Sequence, residues 1–128
     1  MEKPRARNIV LMEDDAAYRY VVAKALEAAG YQVTAAEDYR EVLRVIEEGV
    51  SPVDLLLLDI FMPPGRPHGI AVAKMALARR PRLKVVFFTA FYGDLPGDEI
   101  GIAPGPVLHK SGDTAPLLAA IADVFAAP

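Results

Sequence analysis

The chain has 128 residues, of which 53% are hydrophobic and 24% charged, and this composition is typical of a globular protein. The length predicts one domain over residues 1–128. A net charge of −3 predicts no nucleic-acid partner, because no excess of basic side chains could neutralise phosphates. The lack of cysteine excludes disulfides and thiolate sites and fits a cytoplasmic location. The apolar runs are too short to span a bilayer, so no membrane contact is expected.

Short apolar runs alternate along the chain with segments whose apolar residues repeat at the spacing of a helix. Asn8–Met12 predicts a buried strand, and the stripe after it, repeating every three or four residues, predicts a helix that ends at Gly30. A strand over Tyr31–Ala35 follows, and then a helix that Asp38 caps and Gly49 ends. The remaining predicted elements are strand Val53–Ile60, helix Ile70–Arg80, strand Lys84–Thr89, strand Val107–Lys110 and helix Asp113–Ala126.

The stretch between the fourth and fifth predicted strands is rich in glycine and proline. Only Asp98–Ile102 within it could form a helical turn, so the fourth helix is predicted to be short or missing. Five strands that alternate with helices through short connections predict an α/β fold, with a parallel sheet covered by helices on both faces.

Polar side chains gather where the predicted strands end. Glu13-Asp14-Asp15 follows the first strand, and Asp59, Thr89 and Lys110 end the third, fourth and fifth strands. The first and third strands are neighbours in a doubly wound sheet, so Asp14 and Asp59 should lie side by side, with Glu13 or Asp15 close to them. Ligands of such sheets bind at this edge.

Three carboxylates in one cleft repel one another, so they either take up protons or hold a cation. Oxygen ligands at a shallow site favour Mg²⁺. A lysine and a hydroxyl on the opposite side would clamp an anion, which fits phosphoryl transfer with a carboxylate as the nucleophile. The acids at 13–15 also fit a helix N-terminus, where negative charge is favourable, and Asp15 in particular is predicted to be the cap.

The chain resembles the receiver domain of two-component response regulators over nearly its full length. The resemblance rests on motifs that occur in order, with spacing close to that of the family: Ile9-Val10-Leu11-Met12-Glu13-Asp14-Asp15, Gly30-Tyr31-Gln32-Val33, Asp54-Leu55-Leu56-Leu57-Leu58-Asp59-Ile60-Phe61-Met62-Pro63, Val85-Val86-Phe87-Phe88-Thr89-Ala90 and Val107-Leu108-His109-Lys110. It implies a flavodoxin-like, doubly wound sheet with the strand order 2-1-3-4-5.

The resemblance also implies the roles of individual residues. Asp59 would accept a phosphoryl group from a histidine kinase or a histidine phosphotransfer protein. Glu13 and Asp14 would bind Mg²⁺ together with Asp59 and the backbone carbonyl of Phe61. The phosphoryl oxygens would be bound by Thr89 and Lys110. The chain would then be no enzyme beyond catalysing its own phosphorylation and dephosphorylation, and it would signal through contact with a downstream protein.

Departures from the family pattern leave an alternative open, among them the glycine- and proline-rich stretch in place of the fourth helix. Ser111 stands where a proline usually follows the lysine, and Val107 stands where an aromatic residue is usual. The alternative is a degenerate receiver that acts as a constitutive interaction or dimerisation module without phosphorylation, and homodimers fit either interpretation. A Mg²⁺-dependent phosphohydrolase with an aspartyl nucleophile is disfavoured, because Phe61 occupies the place where such enzymes carry a second acid. Because the last predicted helix runs to the end of the sequence, we expect a stand-alone receiver.

Overall fold

The computed structural model describes residues 5–90 and 103–127, and within them five parallel strands form one sheet in the order β2-β1-β3-β4-β5. The strands are β1 (Asn8–Met12), β2 (Gln32–Ala36), β3 (Leu55–Asp59), β4 (Lys84–Thr89) and β5 (Val107–His109). The helices are α1 (Ala16–Ala28), α2 (Tyr39–Glu48), α3 (Gly69–Arg79) and α4 (Ala115–Ala126). The predicted fold class and strand order are confirmed.

The central strands are buried on both faces, as their continuous apolar sequence predicts. In β3, Leu56 and Leu58 face the core under α2 and α3, whereas Leu55 and Leu57 face the core under α1 and α4. All four side chains have no solvent exposure. Because side chains alternate between the faces of a strand, one apolar run supplies both cores, and only the strand ends remain for polar chemistry.

The ends of α1 and α2 follow the predicted caps. The Asp15 carboxylate accepts hydrogen bonds from the backbone N–H groups of residues 17 and 18, and Asp38 accepts one from residue 40. Gly49 ends α2 with φ 62°, in the left-handed region that favours glycine. Glu41, three residues after Asp38, accepts a hydrogen bond from the N–H of Glu37, one residue before the cap.

Several bounds differ from the prediction by one or two residues. The third strand begins at Leu55 rather than Val53, and Asp54 before it is held by the guanidinium of Arg5 and the N–H of Asn8. The second strand begins one residue later than predicted, at Gln32; the Tyr31 N–H before it donates to the Leu26 carbonyl of α1. The predicted short or missing fourth helix falls on residues 91–102, which lie outside the described residues.

No helix in the described part of the chain is long and apolar enough to cross a membrane.

The loop between β3 and α3 closes tightly at Gly69. A Cβ atom at this position would lie 2.3 Å from the backbone oxygen of Asp59, so any larger residue would force the two segments apart. The Gly69 N–H also donates a hydrogen bond to the Ile60 carbonyl at 2.9 Å. The first residue of α3 is therefore fixed against the backbone that carries Asp59.

Candidate functional site

The polar residues predicted to gather at one edge of the sheet are found there. Glu13 follows β1 and donates its N–H to Ala36 at the end of β2, and Asp59 is the last residue of β3. Thr89 ends β4, and its carbonyl accepts a hydrogen bond from the Lys110 N–H at 2.8 Å. Four neighbouring strands thus deliver two acids, a hydroxyl and an amine to the same edge.

The Lys110 ammonium lies between two buried carboxylates. Its Nζ donates a hydrogen bond to Oδ2 of Asp59 at 2.8 Å and another to Oε1 of Glu13. The Glu13 residue has no solvent exposure and Asp59 has 3%, whereas the lysine side chain is 17% exposed. The sequence predicted an amine across the cleft from the acids, and the structure instead places it in direct contact with both.

Asp14 completes an acidic cluster with these two residues. One carboxylate oxygen from each of Glu13, Asp14 and Asp59 lies within 4.8 Å of the others, and Asp14 is the member that reaches solvent. Ligands about 2.1 Å from an octahedral Mg²⁺ lie about 3 to 4.2 Å apart, so the three oxygens would have to move closer together to bind one ion. The donor set is therefore the hard oxygen set that Mg²⁺ prefers.

Burial changes the protonation of these groups. The pKa of Glu13 is raised to about 7, chiefly by burial and also by the charge of Asp59, against the opposing effect of the hydrogen bond from Lys110. Burial also raises the pKa of Asp59, although Lys110 lowers it. For Lys110, burial lowers the pKa, but the bonds to both acids outweigh it and leave the pKa above its ordinary value. The single ammonium of Lys110 therefore only partly offsets the rise in pKa that burial causes in the two carboxylates.

Asp15 is the cap of α1 in the structure, as predicted, and its N–H also donates to the second carboxylate oxygen of Glu13 at 3.2 Å. The sequence reasoning missed Arg19 in the same region. Its guanidinium donates to the backbone carbonyl of Glu13 at 2.8 Å and to that of Asp14 at 3.4 Å. An arginine one turn into a helix is usually a solvated side chain, so the sequence gives no sign of this contact. It depends on the position of the Glu13 and Asp14 carbonyls relative to α1.

Phe61 and Thr89 lie beside the acidic cluster. The Phe61 N–H donates to Oδ1 of Asp59 at 3.2 Å, so the observed contact uses the amide, and the predicted role of its carbonyl toward a metal stays a prediction. The Phe61 ring stands edge-on to His68, with ring centroids 5.9 Å apart. Thr89 is buried at the end of β4, the strand next to β3.

A comparison with known families identifies the class to which this fold and site belong. The model of the family described as "Response regulator receiver domain" matches residues 9–121. The chain therefore belongs to the receiver domain family of two-component signalling, whose members are signalling modules rather than classical enzymes.

Individual relatives are similar over different shares of their length. The response regulator receiver protein CpdR of Brucella abortus (strain 2308) is 40% identical over 85 residues, which are 66% of this chain and 68% of CpdR. Sensor kinase CckA of the same organism is 31% identical over 108 residues, covering 80% of this chain but only 11% of CckA. The crystal structure of response regulator TrrA from Thermotoga maritima, a complex with Mg²⁺–BeF, superposes with a TM-score of 0.79 at 23% identity, covering 92% of this chain and 98% of TrrA.

Proposed function

We propose that this chain is a phosphoacceptor receiver in which Asp59 takes a phosphoryl group in a Mg²⁺-dependent reaction. One observation carries the proposal: a buried aspartate at a strand end has an ammonium 2.8 Å from one oxygen and a backbone N–H 3.2 Å from the other. Both contacts favour the ionised, nucleophilic form of the carboxylate and oppose the burial that raises its pKa. A structural salt bridge would not need the two further acids beside it.

The charge at this edge supports a divalent cation as the missing partner. With all three carboxylates of Glu13, Asp14 and Asp59 ionised, Lys110 balances only one negative charge, and two remain. Asp14, the exposed member, gives an ion access from solvent, and Glu13 and Asp59 offer oxygens within the same 4.8 Å. Bound Mg²⁺ would neutralise charge on the incoming phosphoryl oxygens. The Phe61 carbonyl is proposed as a further ligand.

The transfer step assigns a task to each residue. An Asp59 oxygen attacks phosphorus, an O–P bond forms, and the N–P bond of a phosphohistidine breaks as the imidazole leaves and is protonated. Lys110 then binds a phosphoryl oxygen with the ammonium that now contacts the acids, and Thr89 donates its hydroxyl to another. The donor is a histidine kinase or a histidine phosphotransfer protein, and the signal passes on by contact with a downstream protein.

Loading with a small phosphodonor tests this function. The chain is incubated with acetyl phosphate and Mg²⁺, and the intact mass is measured. We expect the mass to rise by one phosphoryl group and Asp59→Asn to abolish the rise. Asp54→Asn is the matched control, because Asp54 lies just before the opposite end of the same strand and is held by Arg5.

The metal requirement is tested in the same assay. Chelation with EDTA and the variant Asp14→Ala should each suppress loading, and added Mg²⁺ should restore it only in the unmodified chain. A mass increase that persists in Asp59→Asn would refute the assignment of the acceptor. No mass increase under any condition would refute phosphoacceptor function and favour a receiver that acts as a constitutive interaction module.

A further inference from the structure

Two aromatic rings flank the amine of Lys110. Its Nζ lies 5.0 Å from the ring centroid of Tyr18 on α1 and 5.0 Å from that of Phe88 on β4. The two rings contact each other, with centroids 5.9 Å apart and planes tilted by 31°. The ammonium therefore sits in a slot that has two carboxylates at its end and two ring faces beside it.

This slot restricts a side chain that is otherwise flexible. A lysine has four rotatable bonds and loses considerable freedom when its amine is fixed. The face of an aromatic ring carries negative charge density and attracts an ammonium within about 6 Å, more strongly where water is excluded. Here the lysine side chain is 17% exposed, so the rings act on a largely desolvated cation.

Tyr18 also contacts the residue that follows the lysine. Its hydroxyl lies 3.5 Å from the backbone carbonyl oxygen of Ser111. Tyr18, Phe88 and Lys110 line a cavity of about 220 Å³ that extends to Pro116 and Leu117 in the first turn of α4. The Tyr18 ring and the lysine therefore border the same open space, into which the lysine stem could turn if the ring were lost.

We propose that Tyr18 is a positioning residue for phosphoryl transfer, which holds the Lys110 ammonium against Asp59 and keeps it out of the neighbouring cavity. The proposal rests on the proposed function for its catalytic consequence, whereas the position of the lysine is an independent property. Phe88 is 1% exposed and belongs to the core, so its truncation would disturb packing. Tyr18 is only partly buried and can be changed with less damage.

The position of the lysine is measured by NMR with ¹³C-labelled lysine side chains. Protons over an aromatic face resonate upfield, so we expect the Lys110 ε-CH₂ signal, assigned by its loss in Lys110→Met, to lie upfield of the other lysines. The nuclear Overhauser effect between this CH₂ group and the ring of Phe88, which both variants retain, should weaken in Tyr18→Leu and persist in Tyr18→Phe. Tyr20→Leu is the matched control, because Tyr20 is 65% exposed on the same helix and faces the amine of Lys24.

The consequence for transfer is measured as the rate of loading from acetyl phosphate. Loss of one ring from the slot should slow loading by about threefold to tenfold in Tyr18→Leu, and Tyr18→Phe should restore most of the rate. In the Lys110→Met background, Tyr18→Leu should cause no further slowing, because the cation that the ring positions is gone. A purely structural role would slow loading equally in both backgrounds. Far-UV circular dichroism confirms that each variant is folded.

The two measurements separate the two proposals. If the unmodified chain takes up no phosphoryl group, the proposed function fails, and the lysine signal still decides whether Tyr18 positions the amine. An undiminished contact between the Lys110 ε-CH₂ group and the Phe88 ring in Tyr18→Leu overturns the inference. So does equal slowing of loading with and without the lysine.

Discussion

The substitution Glu13→Gln isolates the effect of the buried acid on the stability of the fold. Glu13 has no solvent exposure, and burial raises its pKa from 4.5 to about 7. A carboxyl group with a higher pKa in the folded chain than in the unfolded chain binds protons preferentially in the folded state. The free energy of unfolding must therefore fall as pH rises from about 4.5 to about 7.

The size of this fall follows from the two pKa values. At 1.36 kcal/mol per unit, the shift of Glu13 corresponds to about 3 kcal/mol, most of which is lost between about pH 5 and pH 8. Asp59 adds to the fall, because its pKa is also raised. The lowered pKa of Asp54 acts below this range and the raised pKa of Lys110 acts above it, so neither contributes to the slope.

Glutamine at position 13 keeps the shape of the side chain but cannot ionise. Over the same pH range, we expect the free energy of unfolding of Glu13→Gln to fall by about 2 to 3 kcal/mol less than that of the unmodified chain. Its absolute stability is shifted at every pH by about 1 kcal/mol, because an amide cannot accept from both Lys110 and the Asp15 N–H. The pH slope is thus the diagnostic quantity, and the value at a single pH is not.

The assay is urea unfolding followed by far-UV circular dichroism, since the chain has no tryptophan to report by fluorescence. Measurements are made with EDTA present, at steps from about pH 5 to pH 8. Glu27→Gln is the control, because this glutamate of α1 is half exposed and should leave the slope unchanged. Equal slopes in the unmodified chain and Glu13→Gln would refute the reasoning, since the buried acid would then not be the group that titrates.

Three further substitutions test the framework around the site by urea unfolding. Asp15→Ala removes the cap of α1 and should cost about 1 kcal/mol, whereas Asp15→Asn should retain most of the stability; equal losses would contradict the capping role. Leu57→Ala empties a fully buried position in β3 and should cost about 3 kcal/mol, and a loss below about 1 kcal/mol would contradict its burial. Gly69→Ala places a Cβ 2.3 Å from the Asp59 backbone oxygen and should cost about 1 to 3 kcal/mol and slow loading; unchanged stability would refute this contact.

The sequence predicts the bounds of a strand well where a buried apolar run changes abruptly to polar residues. The bounds of β1 and β4 match the prediction because each apolar run ends sharply, at Glu13 and at Thr89. The start of β3 was wrong by two residues. Val53 is apolar and packs against the core without joining the strand, and an apolar pattern cannot distinguish packing from strand pairing.

The sequence predicted which residues come together in the candidate site, but not which of their atoms are in contact. The rule that ligands bind at the carboxyl ends of strands brings Glu13, Asp59 and Lys110 to one edge. It does not say that the amine lies between the two acids, because that depends on side-chain torsions and on the burial of both carboxylates. Helical periodicity likewise directs Tyr18 toward the core without identifying Lys110, 92 positions away, as its neighbour.

The ring beside Lys110 and the missing ring at Val107 lie on opposite faces of the sheet. Val107 packs against the core under α2 and α3, whereas Tyr18 and Phe88 belong to the core under α1 and α4. An aromatic residue at position 18 therefore cannot substitute geometrically for one at position 107. If phosphorylation draws the ammonium away from Glu13, the first rings to lose their contact are those on the α1 and α4 side. The cavity beside them extends to Leu117, so displacement of the ammonium would open space next to the first turn of α4.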